Sequence, residues 1–393
     1  MRFSTLDPEA LRREVERFDA ELPIERAFTP PSSWYVEPAF YALEQRAVLW
    51  RSWQPVARAE KLAQPGDYVS GCYAGMPWVV VRGDDGELRG FHNVCAHKGR
   101  EVVTGSGRVD LAAGREPRLV CGYHAWAYRL DGALASAPQM AGVEAFARET
   151  MGLSPLAVEQ WGHWVFVNGD AGAAPLSRTL APLDGALEAG GWRELTFVQR
   201  VEYEVASNWK VIADNYLDGG YHVPHMHPTL AAQIDMKSYR TELFEHYSVQ
   251  TSSPRSADAR GPLDYDPEAR IGGGAIYAWI YPTLMLNRYG PCLDSNHLVP
   301  LGPHRCKVIY EFYFAETEGE QARRFIEQSI AQAEITQRED IEICESVQIG
   351  LGSPAYDRGR YAPRVEQGEH HFHQLLARAY AAELGVTLCS ASR

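Results

Sequence analysis

Apolar positions between residues 7 and 21 recur at helical spacing, with Leu11, Val15 and Phe18 on one stripe of a charged segment. Asp7 is placed to cap this helix and Pro8 takes its first position, where a missing N–H costs nothing. The pattern predicts a helix there, a connector over 30–34 (Pro-Pro-Ser-Ser-Trp) and a second short helix over 39–50. From 54 to 167 the period changes. Short apolar runs such as 78–81, 119–121 and 164–167 are broken by glycines, which is an all-β signature. A Gly- and Ala-rich stretch at 168–175 reads as a boundary. Beyond it, strands over 198–206, 275–286 and 307–314 mix with helices, and the longest helical pattern covers 319–351 without a proline.

Composition narrows the class. A chain of 393 residues is long enough for two or three domains, and 45% hydrophobic with 23% charged residues is ordinary for a globular protein. A net charge of −13 argues against a nucleic-acid partner, which would favour a basic stripe. The N-terminus has no apolar signal segment, and no run of 18 apolar residues predicts a membrane span. The seven cysteines, at 72, 95, 121, 292, 306, 344 and 389, show no disulfide spacing, which fits a reducing cytoplasm. Cys72, Cys292, Cys306, Cys344 and Cys389 are expected to be buried small hydrophobes.

Cys95 and Cys121 belong to a different pattern. Cys95-Ala-His97 is followed, after 23 residues, by Cys121-Gly-Tyr-His124. Zinc sites commonly group Cys with Cys and His with His. Here each pair is mixed, as in a Rieske [2Fe–2S] centre, where two cysteines hold one iron and two histidines the other. Structural zinc and unrelated residues are the alternatives. A second constellation lies at 207–228, where His222 and His227 stand five apart and His225 competes as a ligand. Non-haem Fe(II) oxygenases need two histidines and one carboxylate on one face of the metal. Pro224 is expected to end any helix begun near Asn208, leaving His222 at its end and His227 just past it.

Cys95-Ala-His97 with Cys121-Gly-Tyr-His124-Ala-Trp126 resembles the cluster domain of the Rieske non-haem iron oxygenase alpha subunits, the aromatic-ring-hydroxylating dioxygenase type. Two departures stand out. The gap between the pairs is longer than usual in that family, with the excess expected in a surface loop over 105–116. Gly122 and Ala125 also replace the family's usual Pro and Gly. The segments Asp214-Asn-Tyr-Leu-Asp-Gly-Gly-Tyr-His-Val-Pro, Asn287-Arg-Tyr-Gly-Pro, Cys344-Glu-Ser-Val-Gln, Ala355-Tyr-Asp-Arg-Gly-Arg-Tyr and His370-His-Phe-His look closest to its choline monooxygenase branch.

The resemblance implies an α+β fold: an all-β Rieske [2Fe–2S] domain over 51–168 and a helix-grip catalytic domain over 169–393. In the latter an antiparallel sheet wraps a long helix, and the helical segment 1–50 packs on it. It implies a cluster on Cys95, His97, Cys121 and His124, and a mononuclear Fe(II) on His222, His227 and Asp340, with O₂ as co-substrate. Glu339, Glu342 and Glu345 are the alternative third ligands, and His225 is read as a neighbouring or surface residue. The family's bridging carboxylate sits three residues before the first ligand histidine, which here is Gly219. Asp218 is therefore the candidate bridge and Asp214 the runner-up, with Asn215 beside them in the catalytic set.

The expected activity is hydroxylation or N-demethylation of a small quaternary amine such as choline or a betaine. Oxidation of an aromatic or carboxylate-bearing ring compound, and electron transfer without oxygenase activity, are the competing readings. No Gly-x-Gly-x-x-Gly follows a strand, so electrons are expected from a separate NAD(P)H reductase or ferredoxin, and the family implies a homotrimer. Tyr277, Trp279 and Tyr281 share period-two spacing and are candidates for a cation cage. The plainer reading of the three is one sheet face packed on the long helix.

Overall fold

The structure, a computed structural model, describes residues 7–110, 116–188, 191–253, 274–386 and 388. It divides into two compact units, one formed by residues 1–49 with 183–393 and the other by 50–182.

Helix α1 (Pro8–Glu16) begins as its sequence requires, with Asp7 Oδ1 accepting from the Ala10 N–H at 2.7 Å. It is shorter than the apolar stripe suggested. Phe18 lies beyond its end and turns inward onto Trp34, 5.5 Å away between ring centres. The expected connector is partly helical, since α2 (Ser33–Val36) starts within it. Next, α3 (Pro38–Glu44) opens on a proline and runs on as a π-helical turn over Gln45–Leu49. Glu44, fully buried, accepts hydrogen bonds from Lys210 Nζ, from Trp209 Nε1 at 2.8 Å and from Tyr380 OH at 3.1 Å. Lys210 is equally buried, so this ion pair ties the N-terminal helices into their unit.

The unit 50–182 is built from short strands. β1 (Gln54–Arg58), β2 (Asp67–Tyr73), β3 (Met76–Arg82), β4 (Leu88–His92), β5 (Ser106–Arg108), β9 (Pro155–Trp161) and β10 (Trp164–Asn168) form one sheet in the order β1-β10-β9-β4-β3-β2-β5. β6 (Arg118–Val120), β7 (Ala127–Arg129) and β8 (Leu134–Ser136) form a second, three-stranded sheet. Part of the expected surface loop is thus strand β5, held to β2 by Arg108 on Asp67 at 2.6 Å. Residues 111–115 of that loop lie outside the described residues.

After α4 (Leu176–Glu188), the other unit carries a seven-stranded antiparallel sheet. Its strands are β11 (Thr196–Val205), β12 (Arg240–Leu243), β13 (Tyr247–Ser252), β14 (Ala275–Ile280), β15 (Leu284–Tyr289), β16 (Cys292–Gly302) and β17 (Arg305–Phe314), in the order β11-β17-β16-β15-β14-β13-β12. The single strand expected over 275–286 is instead the β14–β15 hairpin, which turns at Pro282, a residue that cannot donate to a ladder. Its helices are α5 (Trp209–Leu217), α6 (Val223–Met226), α7 (Pro228–Ala231), the 32-residue α8 (Glu320–Leu351) and α9 (Gln367–Leu384). The long helix α8 buries Ala322, Ile326, Ile330, Gln337 and Cys344, while α9 buries Phe372, Leu376 and Tyr380. Cys292, Cys306 and Cys344 are buried as expected, but Cys72 is exposed, on the outward side of β2. Cys389 lies outside the described residues.

Candidate metal centres

Two matching loops carry the cysteine–histidine pairs, one after β4 and one between β6 and β7. In each, the residue four beyond the cysteine returns its N–H to the cysteine carbonyl, Gly99 to Cys95 at 2.8 Å and Ala125 to Cys121 at 3.1 Å. Both closing residues have positive φ, 72° and 58°. Glycine takes that conformation freely and alanine at a cost, so Ala125 is strained where the related family usually has glycine. The loops bury Cys95 and Cys121 within one apolar cluster and leave His124 exposed at the tip. The rings of His97 and His124 meet edge-on at 4.6 Å, and His97 stacks on Trp126 at 5.0 Å.

Tyr128 reaches this site from β7. Its hydroxyl donates to Cys95 Sγ at 3.2 Å and accepts from the Ala96 N–H at 2.9 Å. Burial, and then the bond to Cys95, hold its phenol well above the usual range. Nothing in the sequence pattern had singled out this residue. Two thiolates inside and two imidazoles outside fit a two-iron cluster better than a single ion.

In the other unit, side chains of His222, His227 and Asp340 converge within 4.8 Å. The two imidazoles lie edge-on at 4.9 Å, with Nε2 of His227 3.0 Å and Nε2 of His222 3.8 Å from Asp340 Oδ1. Each ring's other nitrogen is held by a carboxylate: Asp218 Oδ2 at 2.6 Å from His222 Nδ1, and Glu339 Oε2 at 2.6 Å from His227 Nδ1. Such outer partners fix ring orientation and leave both Nε2 atoms for a metal. Burial disfavours the charged form of His227, but Asp340 and Glu339 together outweigh it and raise its pKa. Asn215 donates to Asp340 Oδ1 at 2.7 Å. The donor set, two imidazoles and one carboxylate on one side of a cavity, fits ferrous iron with open positions.

Local backbone explains the arrangement. Helix α5 stops at Leu217, because Gly219 and Gly220 follow with φ of 71° and 73°. Pro224 therefore does not end a helix. It sits in the first turn of α6, which a proline tolerates, with His222 as N-cap and His227 between α6 and α7. A Cβ on Gly219 would lie 2.1 Å from the Val365 carbonyl oxygen, so no carboxylate fits at the position where the related family has one. Asp218 takes the contact instead, accepting from both the backbone N–H (3.0 Å) and the ring of His222. Asp214 points elsewhere, to His373 Nε2 at 3.0 Å and Tyr35 OH at 2.8 Å. His225 and Glu342 are exposed, and Glu345 caps the Ala206 N–H at 2.9 Å. Glu339, weighed in the sequence only as a ligand, instead orients His227.

The triad opens on a cavity of about 90 Å³ whose walls include Tyr216, Tyr239, Tyr277, Tyr289 and Tyr310. Tyr239 and Tyr277 stack at 6.0 Å, and Tyr289 meets Tyr277 edge-on at 5.6 Å. Of the three aromatic candidates only Tyr277 lines this cavity. Trp279 packs on Phe372 of α9 at 5.3 Å, and Tyr281 leaves the strand to bond the His246 carbonyl through its N–H.

A sulfur-and-histidine loop pair in a β unit, with an open His–His–Asp triad in the second unit, is the donor arrangement of an oxygen-activating two-centre iron enzyme. Residues 52–147 match the Rieske [2Fe-2S] domain and residues 192–382 the ring hydroxylating alpha subunit (catalytic domain). The chain is 40% identical to the chloroplastic choline monooxygenase of Arabidopsis thaliana, over 92% of this chain and 85% of that one. It is 30% identical to the carnitine monooxygenase oxygenase subunit of Escherichia coli (strain K12), over 91% and 95%. A solved quaternary ammonium Rieske monooxygenase with L-carnitine bound superposes with a TM-score of 0.74 at 30% identity, covering 93% of this chain and 98% of that one. The chain belongs to the Rieske oxygenase alpha-subunit family, and it is an oxygenase carrying a [2Fe–2S] cluster and a mononuclear iron. No helix among the described residues is long and apolar enough to cross a membrane.

Proposed function

We propose that this chain is the terminal oxygenase component of a system that hydroxylates or N-demethylates a small quaternary amine such as choline or a betaine. One observation carries this reading: His222, His227 and Asp340 share a cavity with a wall of tyrosines. A trimethylammonium group against each ring face gains about 0.5–2 kcal/mol. The relatives named for choline and carnitine oxidation support the same substrate class.

In this reading His222, His227 and Asp340 hold ferrous iron, which supplies open positions for dioxygen. Asn215 steadies the Asp340 carboxylate, and Glu339 and Asp218 fix the two imidazoles. Tyr239, Tyr277 and Tyr289 hold the cationic head and leave little room for water. Cys95, His97, Cys121 and His124 hold the cluster. The protruding His124, with exposed Tyr123 and Val120 beside it, is where a separate NAD(P)H reductase or ferredoxin would dock in a reducing cytoplasm. We further infer that Asp218 joins His222 to a cluster histidine of a neighbouring copy in a homotrimer. Asp218 lies on an open cleft rimmed by Val347 and Tyr356, both substantially exposed, as a docking face would be.

The purified chain should hold about three irons, two in the cluster and one in the triad. Supplied with a reductase, it should consume O₂ in step with choline or a betaine but not with benzoate. Two irons only would leave the electron-transfer reading. Consumption of no trimethylammonium compound would remove the substrate class.

A further inference from the structure

The cavity beside the triad is unusual in how its polar groups are spent. Gln250 accepts from Tyr239 OH at 3.2 Å and donates to the Tyr216 carbonyl at 2.9 Å. Asn287 accepts from Tyr216 OH at 2.9 Å and donates to Asp294 at 2.6 Å. Tyr310 OH donates to Gln337 on α8, and Asn215 donates to Asp340. Asn296 breaks the rule. It lines the cavity from β16, directly across the ladder from Tyr310, and is only 5% exposed. Among the described residues its Oδ1 has no hydrogen-bond partner. A buried amide oxygen left unmatched costs about 1–3 kcal/mol, so a ligand hydroxyl that reached it from the cavity would relieve that cost.

Charge gives the second half of the argument. No lysine or arginine is among the described residues lining the cavity, whereas Asp340 is. A ferrous ion would add two positive charges, but Asp340, Asp218 and Glu339 set three carboxylates around it. A substrate carboxylate would find no cationic partner among these described residues, which is unfavourable. A neutral hydroxyl needs only an acceptor.

Resting on the quaternary-amine reading above, we propose that Asn296 is a specificity-determining residue that accepts the hydroxyl proton of an ammonium alcohol. The site thereby selects a choline-like alcohol over carboxylated betaines. The tyrosines take the trimethylammonium end, which is common to both substrate types, and Asn296 reads the other end, which is not.

Anaerobic calorimetry on the iron-loaded enzyme would test this with choline, ethyltrimethylammonium (choline without its hydroxyl) and glycine betaine. Wild type should bind choline roughly tenfold or more tightly than either of the others. Asn296→Leu should bring choline to within about twofold of ethyltrimethylammonium, while leaving affinity for ethyltrimethylammonium itself unchanged. That unchanged affinity, with an intact cluster EPR signal, reports a folded cavity. Asn296→Ser, which retains a smaller acceptor, should fall between the two and serves if the leucine variant misfolds. The proposal is overturned if glycine betaine binds wild type as tightly as choline, or if Asn296→Leu weakens choline and ethyltrimethylammonium by the same factor. Binding of none of the three would instead bring down the quaternary-amine reading itself, and this inference with it.

Discussion

Tyr128 places a hydroxyl 3.2 Å from Cys95 Sγ inside an apolar cluster, where a hydrogen bond to sulfur is poorly screened. Donation to a thiolate ligand stabilises the electron-richer, reduced cluster and so raises its reduction potential. Removing it with Tyr128→Phe should lower that potential. A loss of about 1 kcal/mol is roughly 40 mV for a one-electron couple, which protein-film voltammetry resolves easily. An unchanged potential would mean that the hydroxyl serves only the Ala96 N–H. At this scale the sequence was informative where chemistry is written in residue type. Mixed Cys-x-His and Cys-x-x-His pairs and two histidines five apart are rare by chance, and the structure brings each set together. Tyr128 was invisible because one tyrosine in a strand looks like any other. Asp340 and Glu339 are adjacent acids on one helix, and only the fold shows that one faces His227 Nε2 and the other its Nδ1.

Among the elements, a buried ion pair helps tie the N-terminal helices to α5. Lys210 on α5 and Glu44 on α3 are both fully buried, and each has further partners: Asn208 for the ammonium, Trp209 and Tyr380 for the carboxylate. Burial alone pushes the Lys210 pKa down, and Glu44 opposes that shift. Removing one partner leaves an uncompensated charge, so Glu44→Ala should cost about 3–5 kcal/mol. Chemical denaturation should then show residues 1–49 loosening, read by proteolysis near the connector, while the cluster spectrum is unchanged. A loss below about 1 kcal/mol would make the pair dispensable. Elements with a long, unbroken period were legible from sequence, above all α8, expected over 319–351 and found at Glu320–Leu351. Two misreadings fell at prolines. Pro282 turns a supposed strand into a hairpin, and Pro224 begins α6 rather than ending α5. A proline marks a boundary without saying on which side the helix lies.

For the whole molecule, the change from short apolar runs broken by glycines to a long helical period made two kinds of unit visible in the sequence. Subunit relations leave no comparable trace, because a docking face is only a set of exposed residues until something covers it. The proposed path through Asp218 nevertheless makes a sharp prediction about assembly. Take one variant with a disabled cluster, His97→Ala, and another with a disabled triad, His222→Ala; each alone should be inactive. If electrons cross between neighbours in a ring of three, a mixed trimer always contains one boundary where an intact cluster faces an intact triad. Equal co-expression with random assembly should then restore roughly a quarter of wild-type turnover per total chain. If transfer stays within one chain, no mixture restores anything, since every chain lacks one centre. Adding Asp218→Ala to the His97→Ala chain, which supplies the working triad, should abolish the rescue, whereas adding it to the His222→Ala chain should not. That asymmetry separates a carboxylate acting on its own chain's His222 from one that merely supports assembly, because a structural defect would weaken the mixed trimer whichever chain carried it.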